Sequence, residues 1–303
     1  MRICSLVPAA TEVLFAIGLG DQVVGVTHEC DWPPEAVSRP HVTASLVQTG
    51  DLSSDEIDRA VAEAAENGKA LYAIDEEVWA EVDADIVVAQ ELCEVCAVSR
   101  SGVDQAIAAT KIDVGVLDFS PSTFEDVCEA IGTVGSWLGA DAAATDLVAG
   151  MRARVDRVKG ALAGIETVPR VFVSEWVEPP YAAGHWVPDM VSLAGGAEVA
   201  GISGEPSHRM RWPDVAALEP EVVVLAPCGF DLDRTLAEIV TLDVSAHLLG
   251  TPARRDSRVF AVDGNGYFSR PGPRLAEGIE LLAYLLHPDR YADPGIPWSR
   301  VRV

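Results

Sequence analysis

Short apolar runs alternate with amphipathic stretches along almost the whole chain. Residues 2–7 read as a strand, and residues 9–17 as a helix closed by Gly18 and Gly20. A second strand follows at 23–26. Ser53 and Glu56 have capping-box spacing and predict a helix to about residue 66. Residues 70–74 and 86–89 read as strands, 101–110 as a helix, and 114–117 as another strand. Ser122 and Glu125 repeat the capping-box spacing and open a helix to about residue 138.

The pattern then changes. From 141 to 163 there is no proline, and Leu147, Met151, Val155, Val158 and Leu162 form one continuous apolar stripe. This predicts a single helix of roughly 35 Å, longer than a local connector needs. After Pro169 the alternation resumes, with strands at 170–174, 222–225 and 259–262. Helices are predicted at 188–194, after Pro213, at 231–240 and at 271–286. The tail from His287 carries three prolines and reads as a surface wrap. Alternation on both sides of one long helix predicts an α/β fold, with two lobes of mostly parallel sheet. The expected boundaries are 1–139 for the first lobe, 140–164 for the backbone helix and 165–303 for the second lobe.

Composition narrows the function. Asp and Glu number 47 against 22 Lys and Arg, a net charge of −25, which argues against nucleic acid and anionic membranes as partners. No window approaches 18 uninterrupted apolar residues, so no membrane insertion is expected. The opening MRICSLVPAATEVL shows no long apolar core and no small-residue cleavage site, which predicts a protein that stays in the cytosol. The six cysteines are then expected to be reduced.

Ligands of parallel sheets bind beyond the carboxyl ends of the strands, and a cleft between lobes is the natural place. The chemistry-bearing residues follow the predicted strands. After 23–26 come His28, Glu29, Cys30 and Trp32, and after 86–89 come Glu91, Cys93 and Cys96. After 170–174 come Trp176, Tyr181, His185 and Trp186. Cys228 follows the strand at 222–225, and Tyr267 and Arg270 follow the one at 259–262.

Four stretches carry a resemblance: ICSLVPAATEVLFAIGLGDQVVGVTHECDWPPEA, WVEPPYAAGHWVPDMVSLAGG, APCGFDLDRT and VDGNGYFSRPGPRLAEGIELLAYLL. They resemble the substrate-binding proteins of cobalamin and iron–siderophore ABC importers, over nearly the whole chain. The resemblance implies two Rossmann-like lobes joined by one long backbone helix, the class III periplasmic-binding-protein architecture, with the ligand held between lobes. It also implies an ABC transporter as partner and cobalamin, another corrinoid or a related metal chelate as ligand.

A corrinoid has a broad apolar rim with amide arms, so a groove for it wants flat aromatic faces and a few hydrogen bonds. Trp32, Trp176, Tyr181, Trp186 and Tyr267 would supply faces, with Trp212 a further ring. His28 and His185 would meet the metal's axial position or make polar contacts, with Glu29 and Glu91 beside them. Arg270 would anchor an arm. This reading is non-catalytic binding by a cytosolic carrier or sensor.

The cysteines support a competing class. Cys30, Cys93, Cys96 and Cys228 lie on three predicted strand-end loops and would form a thiolate site for Zn or an Fe–S cluster, in a metal-dependent protein or enzyme with Glu29 or Glu91 as acid or base. A single C-x₂-C without a second pair is a weak zinc signal. Thiol–disulfide exchange is disfavoured, because Glu91 and Glu94 flank the pair and raise the thiol pKa. Cys4 and Cys128 read as small core residues. His41, His208, His247 and His287 read as surface or capping residues.

Overall fold

The structure is a computed structural model that describes residues 1–47, 50, 52–90, 107 and 114–302. The chain divides into two compact units. The first comprises Met1–Leu52, Glu56–Pro121 and Asp126–Val148. The second comprises Ser53–Asp55, Ser122–Glu125 and Ala149–Val303.

In the first unit the strands are β1 (Ile3–Ser5), β2 (Val23–Val26), β3 (Thr43–Ser45), β4 (Tyr72–Ile74), β5 (Ile86–Ala89) and β6 (Gly115–Asp118). Four of them form a parallel sheet in the order β2-β1-β5-β6. All three residues of β1 are buried, as expected for a central parallel strand covered on both faces. Cys4, Leu6, Val42, Trp79, Val82 and Val87 pack together on one side. The backbone at Gly25 is pressed so close that a Cβ there would sit 2.9 Å from Val42 Cγ1. Pro8 opens the helix Pro8–Ala16 in its first turn, where a missing N–H is no loss. Gly18 ends that segment with φ of +80°.

Two elements of this unit escaped the sequence reading. β3 pairs antiparallel with β4 in a separate two-stranded sheet. The helix Glu76–Val82 starts at Asp75, whose carboxylate accepts the N–H groups of Glu77 and Val78 at 3.1 Å each. The predicted helix at 101–110 lies outside the described residues, apart from residue 107.

The second unit holds β7 (Arg170–Val177), β8 (Pro180–Ala182), β9 (Ala197–Glu198), β10 (His208–Arg209), β11 (Val222–Leu225), β12 (Val259–Val262) and β13 (Trp298–Arg300). The order is β10-β8-β7-β11-β12-β13, with β9 beside β7. β7, β11 and β12 run parallel, and Leu225 pairs with Ser174 on one side and Ala261 on the other. β8, β10 and β13 are antiparallel additions at the edges. The proline-bearing tail therefore does more than wrap the surface. Its residues 298–300 extend the sheet, and Trp298 packs edge-on against Phe260 and Tyr284 at 5.7 Å each. β7 runs three residues past its predicted end, so Trp176 lies within the strand.

The long helix is Asp141–Ala161, about 30 Å at ~1.5 Å per residue. Met151, Val155 and Val158 on its stripe are buried. The division between the units falls inside it, after Val148. In its second-unit portion, Arg154 Nη1 and Arg157 Nη2 reach Glu280 at 2.6 and 3.2 Å. Tyr291 donates its hydroxyl to the same carboxylate at 3.0 Å, so a buried charge is fully partnered. Among the described residues, no helix is long and apolar enough to cross a membrane.

Candidate functional site

In the first unit the chain leaves β2 into residues 27–32. The backbone N–H of His28 donates to Thr43 Oγ1 at 3.2 Å, and His28 Nδ1 lies 2.7 Å from the same oxygen. Tyr72 stands beside the imidazole, 5.5 Å between ring centroids. Thr43 and Tyr72 belong to β3 and β4, so the small antiparallel sheet fixes this histidine. His28 Nε2 lies 3.3 Å from Glu29 Oε1, an ion-pair distance. Yet Nε2 is buried and makes no aligned hydrogen bond among the described residues. The contact is misdirected and therefore electrostatically weak. Glu29 is itself half-exposed.

Cys30 is buried, with Sγ 3.1 Å from Thr11 Oγ1 and 3.3 Å from Thr27 Oγ1. Thr11 Oγ1 in turn lies 2.8 Å from Ser5 Oγ. This is a hydroxyl-lined core pocket for one sulfur. Burial pushes the neighbouring Cys4 thiol far above the usual range, and Cys30 adds to the effect. A thiol held protonated is neither a nucleophile nor a metal ligand. Trp32 is 45% exposed and lines a cavity of about 470 Å³ with Phe15, Gly20 and Arg39. Glu91, Cys93 and Cys96 lie outside the described residues.

The second unit concentrates more chemistry. Glu175 and Trp176 lie near the end of β7, and Tyr181 sits opposite Trp176 on β8. Trp176 Nε1 donates to the carbonyl of Ser54 at 3.1 Å, and its ring is tilted against Phe230 at 5.2 Å. Cys228 is part-buried, and its backbone N–H donates to the Glu175 carbonyl at 2.9 Å. Burial pushes the Glu175 carboxyl above its ordinary value, against the opposing pull of hydrogen bonds from Ser207 and the Gly184 backbone.

His185 stands out in its backbone. Its φ is +52°, a left-handed conformation uncommon for residues with a side chain. Its N–H donates to Glu205 O at 2.7 Å, and its carbonyl accepts from Gly204 N at 3.0 Å. The preceding residue must be glycine, since a Cβ at 184 would lie 2.4 Å from both Glu205 O and Ser207 N. The 204–207 segment thus overdetermines the conformation of His185. Burial lowers the pKa of its imidazole. Its ring lies 5.5 Å from that of Trp186.

Trp186 is itself buried, and its Nε1 donates to Phe268 O at 2.7 Å. That bond ties the start of the helix Val187–Leu193 to the loop carrying Tyr267 and Arg270. Asp263 caps this loop by accepting the Gly266 N–H at 2.7 Å. Tyr267 is part-buried with the Arg274 guanidinium 5.7 Å from its ring, and Arg270 is buried. Ser269 Oγ is buried and finds no hydrogen-bond partner among the described residues. Trp212 is a core residue with the His247 ring stacked on it at 5.6 Å.

The structure therefore brings His28 and Glu29 together in the first unit, and Trp176 with Tyr181 and His185 with Trp186 in the second. Among the described residues, no group of three or more His, Cys, Asp or Glu side chains is placed to hold a metal ion. Sequence reasoning missed Thr43, Glu205 and Ser54. Nothing local marks them, because each acts on a residue distant in the chain.

A profile described as periplasmic binding protein matches residues 94–264, more than half of the chain. The chain belongs to the periplasmic binding protein family. Curated relatives of this family member include the cobalamin-binding protein of Halobacterium salinarum, 25% identical over 292 residues, covering 94% of this chain and 69% of that protein. The vitamin B12-binding protein of Vibrio cholerae is 21% identical over 295 residues, covering 94% of this chain and 88% of the relative. Among solved members, a periplasmic heme binding protein from Pseudomonas aeruginosa superposes with a TM-score of 0.73 at 21% identity, covering 100% of this chain and 99% of the other. The periplasmic vitamin B12 binding protein BtuF of Vibrio cholerae gives a TM-score of 0.67 at 19% identity, with 95% and 96% coverage. These likenesses show the family's α/β fold, with parallel sheet and helices.

Proposed function

We propose that this chain binds a metal chelate of the corrinoid class, without catalysis, through the loops at the carboxyl ends of its strands. The observation that carries the reading is His185. A residue held in a left-handed conformation by two backbone hydrogen bonds and a glycine neighbour is a recognised mark of a functional position. The lowered pKa keeps the imidazole neutral near pH 7, the form with a lone pair for an axial metal position. Trp176, Tyr181 and Tyr267 belong to the same unit as His185 and follow or end its strands, and they would supply aromatic area for an apolar rim. The relatives named for cobalamin and vitamin B12 support the same ligand class. The membrane subunits of an ABC importer are the proposed partner, supported by a relative named as an ABC transporter substrate-binding lipoprotein from Bacillus subtilis.

Equilibrium dialysis against cobalamin, cobinamide, hemin and a ferric hydroxamate tests the ligand class. The reading expects saturable one-to-one binding of at least one corrinoid, tighter than hemin and the hydroxamate. Binding of hemin or the hydroxamate alone would move the ligand outside the corrinoids. No binding of any of the four would refute the reading.

A further inference from the structure

In the second unit Trp176 is one member of a closed ring of contacts. Glu238 is buried, and its Oε1 accepts both the backbone N–H and the hydroxyl of Ser54, at 2.8 and 2.6 Å. The carbonyl of Ser54 accepts the Trp176 Nε1–H at 3.1 Å. The Trp176 ring rests on Phe230 at 5.2 Å. The guanidinium carbon of Arg234 lies 4.9 Å from the Phe230 centroid, and Arg234 Nη2 lies 3.8 Å from Glu238 Oε2. Each member holds the next, and Ser54 belongs to the same compact unit as the other four.

Sequence places these residues far apart. Ser54 and Glu238 are 184 positions distant, while Arg234 and Glu238 are one helical turn apart on Leu232–Thr241. A buried carboxylate must find hydrogen-bond donors, and Ser54 supplies two on one oxygen. The result is that Ser54 has one orientation, and with its carbonyl fixed the indole N–H has one target. A large ring ordered before its ligand arrives avoids the entropy loss of ordering it on binding.

We propose that Glu238 and Ser54 are positioning residues for ligand binding, presetting the Trp176 indole without touching the ligand themselves. This rests on the reading that Trp176 meets the bound chelate. The test uses the full chain labelled with 5-fluorotryptophan, with the Trp176 fluorine resonance assigned from Trp176→Phe. In ligand-free protein, Glu238→Ala should shift or split the Trp176 resonance and leave those of Trp79 and Trp212 in place. Glu238→Gln keeps an oxygen acceptor for Ser54 and should restore the wild-type position. With cobalamin as probe, Glu238→Ala should weaken binding by about three- to tenfold, the range expected for ordering one large side chain on binding.

An unmoved Trp176 resonance in Glu238→Ala overturns the proposal. So does weakened binding in Glu238→Ala when Trp176→Phe binds like wild type. If Glu238→Ala does not fold, Ser54→Ala, which removes one of the two donors, must produce a smaller shift of the same resonance, and no shift overturns the proposal. A moved resonance in a protein that binds no corrinoid supports the preset ring and refutes the ligand reading, so the two failures are distinguishable.

Discussion

The two histidines proposed to meet a ligand differ in whether the ring itself is tethered. His28, in the first unit, is held through its side chain as well as its backbone: Nδ1 and the N–H both meet the Thr43 hydroxyl, and the ring stands beside a tyrosine. His185, in the second unit, is fixed by its backbone, with N–H and C=O both bonded to the 204–205 segment. A side-chain tether consumes one of the two imidazole nitrogens. A backbone tether leaves the ring free and stores strain in φ instead. The second arrangement presents an imidazole better, and the first packs one better.

The sharpest way to break this contrast is Gly184→Ala. Its Cβ would meet Glu205 O and Ser207 N at 2.4 Å, so the clamp on His185 must open. Chemical denaturation should show a loss of about 3 kcal/mol, at the upper end for overpacking, and ligand binding should fall with it. Unchanged stability would mean that the 204–207 segment yields without effort.

Next in size is a pH effect confined to the second unit. Glu198 accepts four backbone N–H groups at 3.0–3.3 Å, yet burial raises its pKa from 4.5 to about 7. A carboxyl raised in the folded state contributes stability that is present below the unfolded value of 4.5 and is lost as pH rises through about 7. The loss should be on the order of 3 kcal/mol over that window, before allowing for solvent screening. Glu175, also raised by burial, works in the same direction. His185 works oppositely: its lowered pKa contributes stability present above the unfolded 6.5 and lost as pH falls through its folded value. Unfolding measured from pH 4 to 8, with carboxyl resonances followed by NMR, checks both signs. A Glu198 midpoint near 4.5 would contradict the first.

Thr43→Val should act on the first unit alone. It removes the acceptor for the His28 N–H and the partner of Nδ1, at a cost of about 1–2 kcal/mol. The His28 amide should then lose protection in hydrogen exchange and its ring resonances should move, and unchanged exchange and shifts would mean that Thr43 does not hold this residue. The smallest expected effect has the opposite sign. His185→Gly relieves the left-handed strain and should stabilise the fold by about 0.5–1 kcal/mol while removing the imidazole proposed to meet the metal. A destabilised His185→Gly would show that the side chain contributes packing as well as chemistry.

Much of the frame was legible in the sequence. β2, β5, β11 and β12 were read to the residue, because each is an apolar run of four in a parallel sheet with a clear end. The long helix was legible from one stripe of apolar positions. β3, β9 and β10 were not, since two or three residues carry no period, and β13 was hidden among prolines. For the candidate site, the position of His185 and Trp176 near a strand end was visible. Their holders were not. Glu205 acts through its carbonyl, which any residue has, and Glu238 reads as an ordinary acidic position on an amphipathic helix.

The central claim is that the His185 imidazole, neutral and preset, meets the metal of a corrinoid. Its most direct test is an absorbance titration of aquocobalamin at pH 7 with wild-type protein, His185→Gly and His28→Ala. Wild type and His28→Ala should both show the band shift of an imidazole replacing cobalt-bound water, and His185→Gly should not. The same shift in His185→Gly, or its absence in all three, would contradict the account.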